Sequence, residues 1–303
     1  VGAPVQKLLF KQTGDVQKTV CAPMFDFMLG DRHIRPLAEK QLHDIYGNLD
    51  EPRKPGGIKV VFFPGCMGDK MYVDMSVACL RALKHHDGAV FMSDSFSCCG
   101  IPAMCSGDVK GMLKELEANL TVLANADFDY VLTPCASCTS TIKELWPEYA
   151  RRLNKPELIR VAEKAGAKTM DINVFMVEVI GVKPEKARDG AEVVTYHDPC
   201  HLIKSLGISK EPRAVLQANS RYQFKEMNEH DRCCGCGGSF NLFHYDYSRA
   251  IGQRKRDNIV NSGARTVVTS CPACMMQLED VLSQNKDNIK VKHTMEVYAE
   301  TFD

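Results

Sequence analysis

The chain has 303 residues, 45% of them hydrophobic, and its 38 basic and 38 acidic side chains cancel to a formal charge of zero. That length supports one large core or two ordinary ones, and the charge balance removes the electrostatic case for nucleic acid or an anionic membrane surface. Apolar stretches such as "VVFFPGCMG" are far too short to span a bilayer, and no secretory signal is visible. Fourteen cysteines is the outlying number. A chain this long does not need disulfide staples, so thiols kept for metal or redox work in a reducing cytosol are the better reading.

In chain order, residues 1–57 come first and lack the pattern that follows. "PMFDFMLGDRHIRPLAEKQLHDIYG" reads as a helical lead-in and "NLDEPRKPGG" as a loop. The chain opens on Val1, which leaves room for a targeting segment or a preceding domain. From residue 58 a repeat begins. "IKVVFFPGC" is a short β-branched and aromatic run whose Pro-containing turn delivers Cys66. Cys98-Cys99 follow, and then Lys110–Ala126 with Leu113, Leu116, Leu120 and Leu123 at helical spacing. "FDYVLTPCASC" is a strand ending at Cys135-x-x-Cys138. "DINVFMVEVIGV" closes the first copy, and "GVKPEKARDG" (181–190) reads as the linker.

The second copy repeats each step. "AEVVTYHDPC" delivers Cys200, "RCCGCGG" carries Cys233-Cys234, and "ARTVVTSCPAC" ends at Cys271-x-x-Cys274. Ser248–Ser262 fills the helix slot, with its basic run "QRKR" read as a solvated face. "VKHTMEVYAETF" closes the copy, placing Glu296 like Glu178. Equivalent cysteines are offset by 134, 135, 135, 136 and 136, so ten of the fourteen form two copies of one five-cysteine pattern. Strands alternating with helices imply a parallel sheet in each copy, with ligand-binding loops at the carboxyl ends of the strands. The expected fold is α/β: two duplicated Rossmann-like halves, 58–186 and 187–303, related by a pseudo-twofold axis and preceded by the helical lead-in of 1–57.

Five thiols per copy exceed the four ligands of a structural zinc site, although "CPAC" alone would pass as half of one. Soft sulfur ligands from three separate loops favour an iron–sulfur cluster, with zinc and thiol–disulfide exchange as the alternatives. Gly100 and Gly235 follow the double cysteines, where a side chain would obstruct a sharp turn and where backbone N–H groups could face sulfur. No GxGxxG fingerprint appears, so hydride chemistry belongs to a partner.

These motifs resemble the cysteine-rich domains with the "CCG" signature. That family includes the disulfide-reducing subunit of heterodisulfide reductase, the iron–sulfur subunits of glycolate oxidase and lactate utilisation, and one subunit of anaerobic glycerol-3-phosphate dehydrogenase. The resemblance covers about residues 58–303 and implies two iron–sulfur clusters of the [4Fe-4S] kind, noncubane in the heterodisulfide reductase branch. Carried over, Cys66, Cys98, Cys99, Cys135 and Cys138 would hold one cluster, and Cys200, Cys233, Cys234, Cys271 and Cys274 the other. "YHDPCHL" and "CPACMMQL" look closer to the dehydrogenase-associated members. Such members commonly carry an N-terminal ferredoxin-like domain, yet Cys21 stands alone in "KTVCAPMF".

The resemblance implies an oxidoreductase subunit of anaerobic metabolism. It would take electrons from a flavoprotein dehydrogenase acting on a 2-hydroxy acid such as lactate or glycolate, and pass them to a quinone or another carrier. The alternative is a catalytic subunit that reduces a disulfide at its cluster. Either way it is expected in the cytoplasm, held to the periphery of the inner membrane only through a partner.

Other residues are read more plainly. Cys79 belongs to a helix core. Cys236 and Cys105 are small buried hydrophobes, extra ligands or redox thiols. Phe240, Phe243, Tyr245 and Tyr247 are expected to close over the second cluster. His197, Asp198 and His201 surround Cys200, whereas no ionisable group stands immediately beside the first copy's cysteines. The second cluster is therefore expected to face the acceptor, with His197 as catalytic proton donor.

Overall fold

The computed structural model describes residue 6 and residues 9–21 and 30–302. Strands β1 (Lys11–Gly14) and β2 (Thr19–Cys21) form an antiparallel hairpin, and β3 (Leu49–Asp50) lies just ahead of the first repeat. In the first repeat, β4 (Lys59–Phe62), β5 (Ala89–Met92), β6 (Tyr130–Thr133) and β7 (Thr169–Asp171) run parallel in the order β5-β4-β6-β7. In the second, β8 (Glu192–His197), β9 (Tyr222–Phe224), β10 (Thr266–Thr269) and β11 (Lys290–His293) are parallel in the order β9-β8-β10-β11. Both sheets share one strand order, so the duplication read from the cysteine offsets is a duplication of topology.

The strands are apolar because they are covered on both faces. Val60, Val61 and Phe62 of β4 and Val267 and Val268 of β10 are fully buried, each larger side chain contributing roughly 1.5–3 kcal/mol. The intervening helices show the expected period. Val109–Leu123 buries Met112, Leu116, Leu120 and Leu123 on one stripe. Helix Val73–His85, with Cys79 in its core, packs on Thr294–Ala299 and so joins the two halves. Residues 181–190 carry no regular structure and lie along the second half, through Glu185 N–H to Gln217 O and Arg188 N–H to Ser220 O.

Three expectations need correction. Residues 22–29 of the lead-in lie outside the described residues. What is described of 1–57 is mainly the hairpin, the five-residue helix Leu42–Tyr46, and β3, which adds an antiparallel edge to the first sheet. β-branched Thr13, Val16, Thr19 and Val20 around the Gly14-Asp15 turn favour that hairpin. Second, Lys255 in "QRKR" is fully buried: helix Tyr245–Ser262 turns Ser248, Gly252, Lys255, Ile259 and Ser262 inward, leaving Arg254 outside. Third, Glu178 and Glu296 are not alike. Glu296 caps its own helix by accepting from His293 N–H, while Glu178 is exposed.

Candidate metal centre

In a parallel sheet where the chain passes from the first strand to a neighbour on one side and returns to the other, a crevice opens beyond the carboxyl ends. Cys66 stands just past β4, Cys135 and Cys138 just past β6, and Cys98-Cys99 on the loop leaving β5. Cys200, Cys271, Cys274 and Cys233-Cys234 occupy the same places around β8, β10 and β9. All ten line one cavity of about 380 Å3 between the halves.

Their sulfurs form a single ordered run of contacts. In the first half it passes Cys66–Cys98–Cys99–Cys138–Cys135, the first step being 3.7 Å. In the second it passes Cys200–Cys233–Cys234–Cys274–Cys271. Cys135 meets Cys271 and joins the two. The run reads the same from either end, as a twofold relation between the halves requires.

In each set the first of the adjacent cysteines ionises more readily than an ordinary thiol, and in the second set Cys271 does so too, through hydrogen bonds from Cys135 and Cys274. Hydrogen bonds from Cys66 and Cys99 pull Cys98 well below an ordinary thiol, with backbone N–H groups of Cys99 and Gly100 adding to the effect. Cys233 is lowered in the same way by Cys200 and Cys234, and Gly235 N–H lies 3.3 Å from its sulfur. Thiolate is the metal-ligating form. Gly100 and Gly235 both have positive φ, +93° and +98°. A Cβ there would meet Met112 Sδ at 2.2 Å and the Ser248 carbonyl at 2.5 Å respectively.

The surrounding shell differs between the halves. Around the first set, Trp146 Nε1–H donates to Cys99 O at 2.9 Å, and Asn119 holds the loop through Cys98 O and Ser97 N–H, both at 2.9 Å. Phe63 packs edge-on against Phe96 and Trp146. Counting back from the first cysteine of each set, His197 occupies the position of Phe63. It is fully buried, and its ring approaches Cys234 and Cys274 with the ligating atoms of all three within 4.8 Å of one another. Burial first, and then the charge of Lys255, push it down to about 3, so the ring is neutral. Among the described residues, neither ring nitrogen has a hydrogen-bond partner. A proton donor open to an acceptor was expected here; the structure holds an enclosed imidazole.

His201 does line the cavity, and its Nδ1 lies 2.8 Å from Ser137 Oγ of the opposite half. Asp198 points away from it. Buried, it takes both Nη atoms of Arg213 at 2.9 and 2.7 Å and Nδ1 of His230 at 2.7 Å, bracing the turn before Cys200. Cys236 is buried in the cavity wall, its thiol pushed up to about 12 by burial, and exposed Cys105 lines the wall at the first set.

The expected aromatic cover over the second set is absent from the cavity wall. Phe243 and Tyr247 are 76% and 71% exposed. Tyr245 donates to Asp280 Oδ2 beneath the Arg32 guanidinium, and Phe240 lies over Gly237. The segment turns on Asn241, whose amide reaches Ser248 and Gln277 and draws one polar face inward. Sequence reasoning also missed Lys255, whose Nζ–H groups donate to Glu229 O and His230 O ahead of the second double cysteine. Its signal was available in the inward spacing Ser248, Gly252, Lys255, Ile259.

Ten soft sulfurs in two matched sets, with a buried imidazole that has no partner among the described residues beside one of them, fit a sulfur-ligated metal group better than a closed four-ligand zinc site. No helix among the described residues is long and apolar enough to cross a membrane.

Comparison with known proteins agrees with this geometry. The chain is 31% identical over 255 residues to a fumarate reductase (CoM/CoB) subunit of Methanothermobacter marburgensis, covering 83% of this chain and 48% of that protein. It is 29% identical over 240 residues to lactate utilization protein A of Bacillus subtilis, covering 79% and 98%. To the probable glycolate oxidase iron-sulfur subunit of the same organism it is 30% identical over 257 residues, covering 82% and 56%. Against the first of these relatives the chain spans about half the length. The cysteine-rich domain model called CCG matches residues 60–143 and 194–279, the two sulfur-bearing halves and more than half the chain. The chain belongs to the cysteine-rich CCG domain family.

Proposed function

We propose that this chain is an iron–sulfur electron-transfer subunit. Each five-cysteine set would hold one cluster, of the [4Fe-4S] kind. Electrons would enter from a flavin-dependent 2-hydroxy acid dehydrogenase and leave to a quinone or another carrier. The continuous ten-sulfur run carries this reading, because it joins two equal ligand sets through Cys135 and Cys271. When bound, such clusters supply one-electron redox chemistry without a proton or hydride.

The chain's own residues provide ligands, N–H donors at Gly100 and Gly235, and a largely apolar wall. Similarity to the lactate utilization and glycolate oxidase proteins supports the choice of donor. A second reading, disulfide reduction at a cluster, is favoured by the open cavity and by His201 on its wall, and by similarity to the CoM/CoB fumarate reductase.

One experiment separates the two. The protein is isolated anaerobically from its native host with bound partners, and lactate or glycolate is added. Appearance of a reduced-cluster paramagnetic signal supports the first reading. Release of two thiols per added heterodisulfide at the expense of two electrons from reduced methyl viologen, with no response to either hydroxy acid, would replace it with the second.

A further inference from the structure

The two sulfur sets share ligands but not surroundings, and the difference falls on one position. Phe63 has no polar atom to offer the first set. His197, on the matching turn, brings an imidazole into the second set with neither nitrogen partnered among the described residues and no solvent contact. Buried polar groups without a partner cost about 1–3 kcal/mol each, so an orphaned ring in a core implies an acceptor that completes it. The sulfurs of Cys234 and Cys274 stand closest to that role.

A neutral imidazole has one N–H, and a hydrogen bond from it to sulfur withdraws electron density and favours the reduced state. Lys255 adds to the asymmetry. Its fully buried side chain is held on backbone carbonyls, and its charge bears on Cys234 and Cys274, whereas the matching inward position of the first half is Asn119, buried and uncharged. Ordinary coulombic attraction between a buried cation and an added electron has the same sign as the hydrogen bond.

We infer that His197 is a positioning residue that donates its N–H to sulfur in the second set, holding that set at a higher reduction potential than the first. An electron arriving at the first set would then move to the second, which is reduced by one electron as the first is oxidised by one. This inference rests on the iron–sulfur reading above, and it gives His197 a role other than proton delivery.

The test is a redox titration of the anaerobically prepared full chain, followed by electron paramagnetic resonance, with iron and sulfide measured on the same samples. The unsubstituted protein should show two resolved midpoints. His197→Phe, which copies the first half, should lower the higher midpoint toward the other without loss of iron, and His197→Gln, which keeps an N–H donor, should largely restore it. Unmoved midpoints at full iron content would overturn the inference. Loss of about half the iron in both variants would also overturn it, making His197 a ligand instead of a donor. A single shared midpoint in the unsubstituted protein overturns it even where the variants fail to fold. Absence of iron and sulfide from the unsubstituted protein would sink the underlying reading instead, an outcome distinct from all of these.

Discussion

At the scale of single residues, the site depends on backbone turns that only glycine makes cheaply. Gly235 combines φ of +98° with a carbonyl 2.5 Å from where a Cβ would sit. Gly235→Ala should therefore cost roughly 1–3 kcal/mol in strain. Gly181 also has positive φ, +85°, but nothing lies within 4 Å, so Gly181→Ala should cost clearly less. Urea midpoints of the two variants check this, and equal losses would mean that crowding at the double cysteine is unimportant.

A second residue, Asp171, carries a pH signature. Burial raises its carboxyl from 3.8 to about 7, despite hydrogen bonds from the Asn173 side chain and backbone. The folded state thus holds this proton more tightly than the unfolded chain. Its contribution to stability is complete below about pH 4 and is lost as pH rises through 7, a change on the order of 4 kcal/mol. Asp171→Asn should flatten the slope of unfolding free energy between pH 4 and 7. An unchanged slope would show that Asp171 ionises freely in the fold.

At the scale of elements, helix Tyr245–Ser262 separates charge that positions the site from charge that merely solvates it. Arg254 is exposed and pairs with Glu229, so Arg254→Ala should shift stability by about 0–1 kcal/mol. Lys255, one residue on, supplies hydrogen bonds to the Glu229 and His230 carbonyls. Its removal strands both acceptors, and Lys255→Ala should cost about 1–3 kcal/mol. Chemical denaturation of both variants tests the contrast; near-equal effects would contradict it.

The same helix shows where sequence reading stops. Leucine spacing located Val109–Leu123 with its buried stripe, because apolar residues announce their own face. A lysine does not, and only the full phase from Ser248 to Ser262 reveals that Lys255 points inward. The aromatic run 240–247 misled for the opposite reason. Its rings suggest cover, yet buried Asn241 fixes the segment's orientation and leaves Phe243 and Tyr247 outside.

At the scale of the molecule, the cysteine offsets carried most of the architecture. A five-residue pattern repeated at nearly constant separation implies one supersecondary plan used twice, and the shared strand order of the two sheets is that plan. The joining of the two sets through Cys135 and Cys271 was not legible, because spacing along the chain says nothing about how one half turns to face the other. Burial of His197 was hidden similarly: a histidine beside a cysteine looks the same in sequence whether it meets solvent or core.

The central claim is that each set of five sulfurs holds an iron–sulfur cluster. Metal and sulfide analysis of protein matured in its native anaerobic host tests it most directly, alone and as the Cys98→Ser, Cys99→Ser double variant. About eight irons with matching sulfide, falling to about four in the variant, is the predicted result. Stoichiometric zinc with negligible iron and sulfide would contradict it.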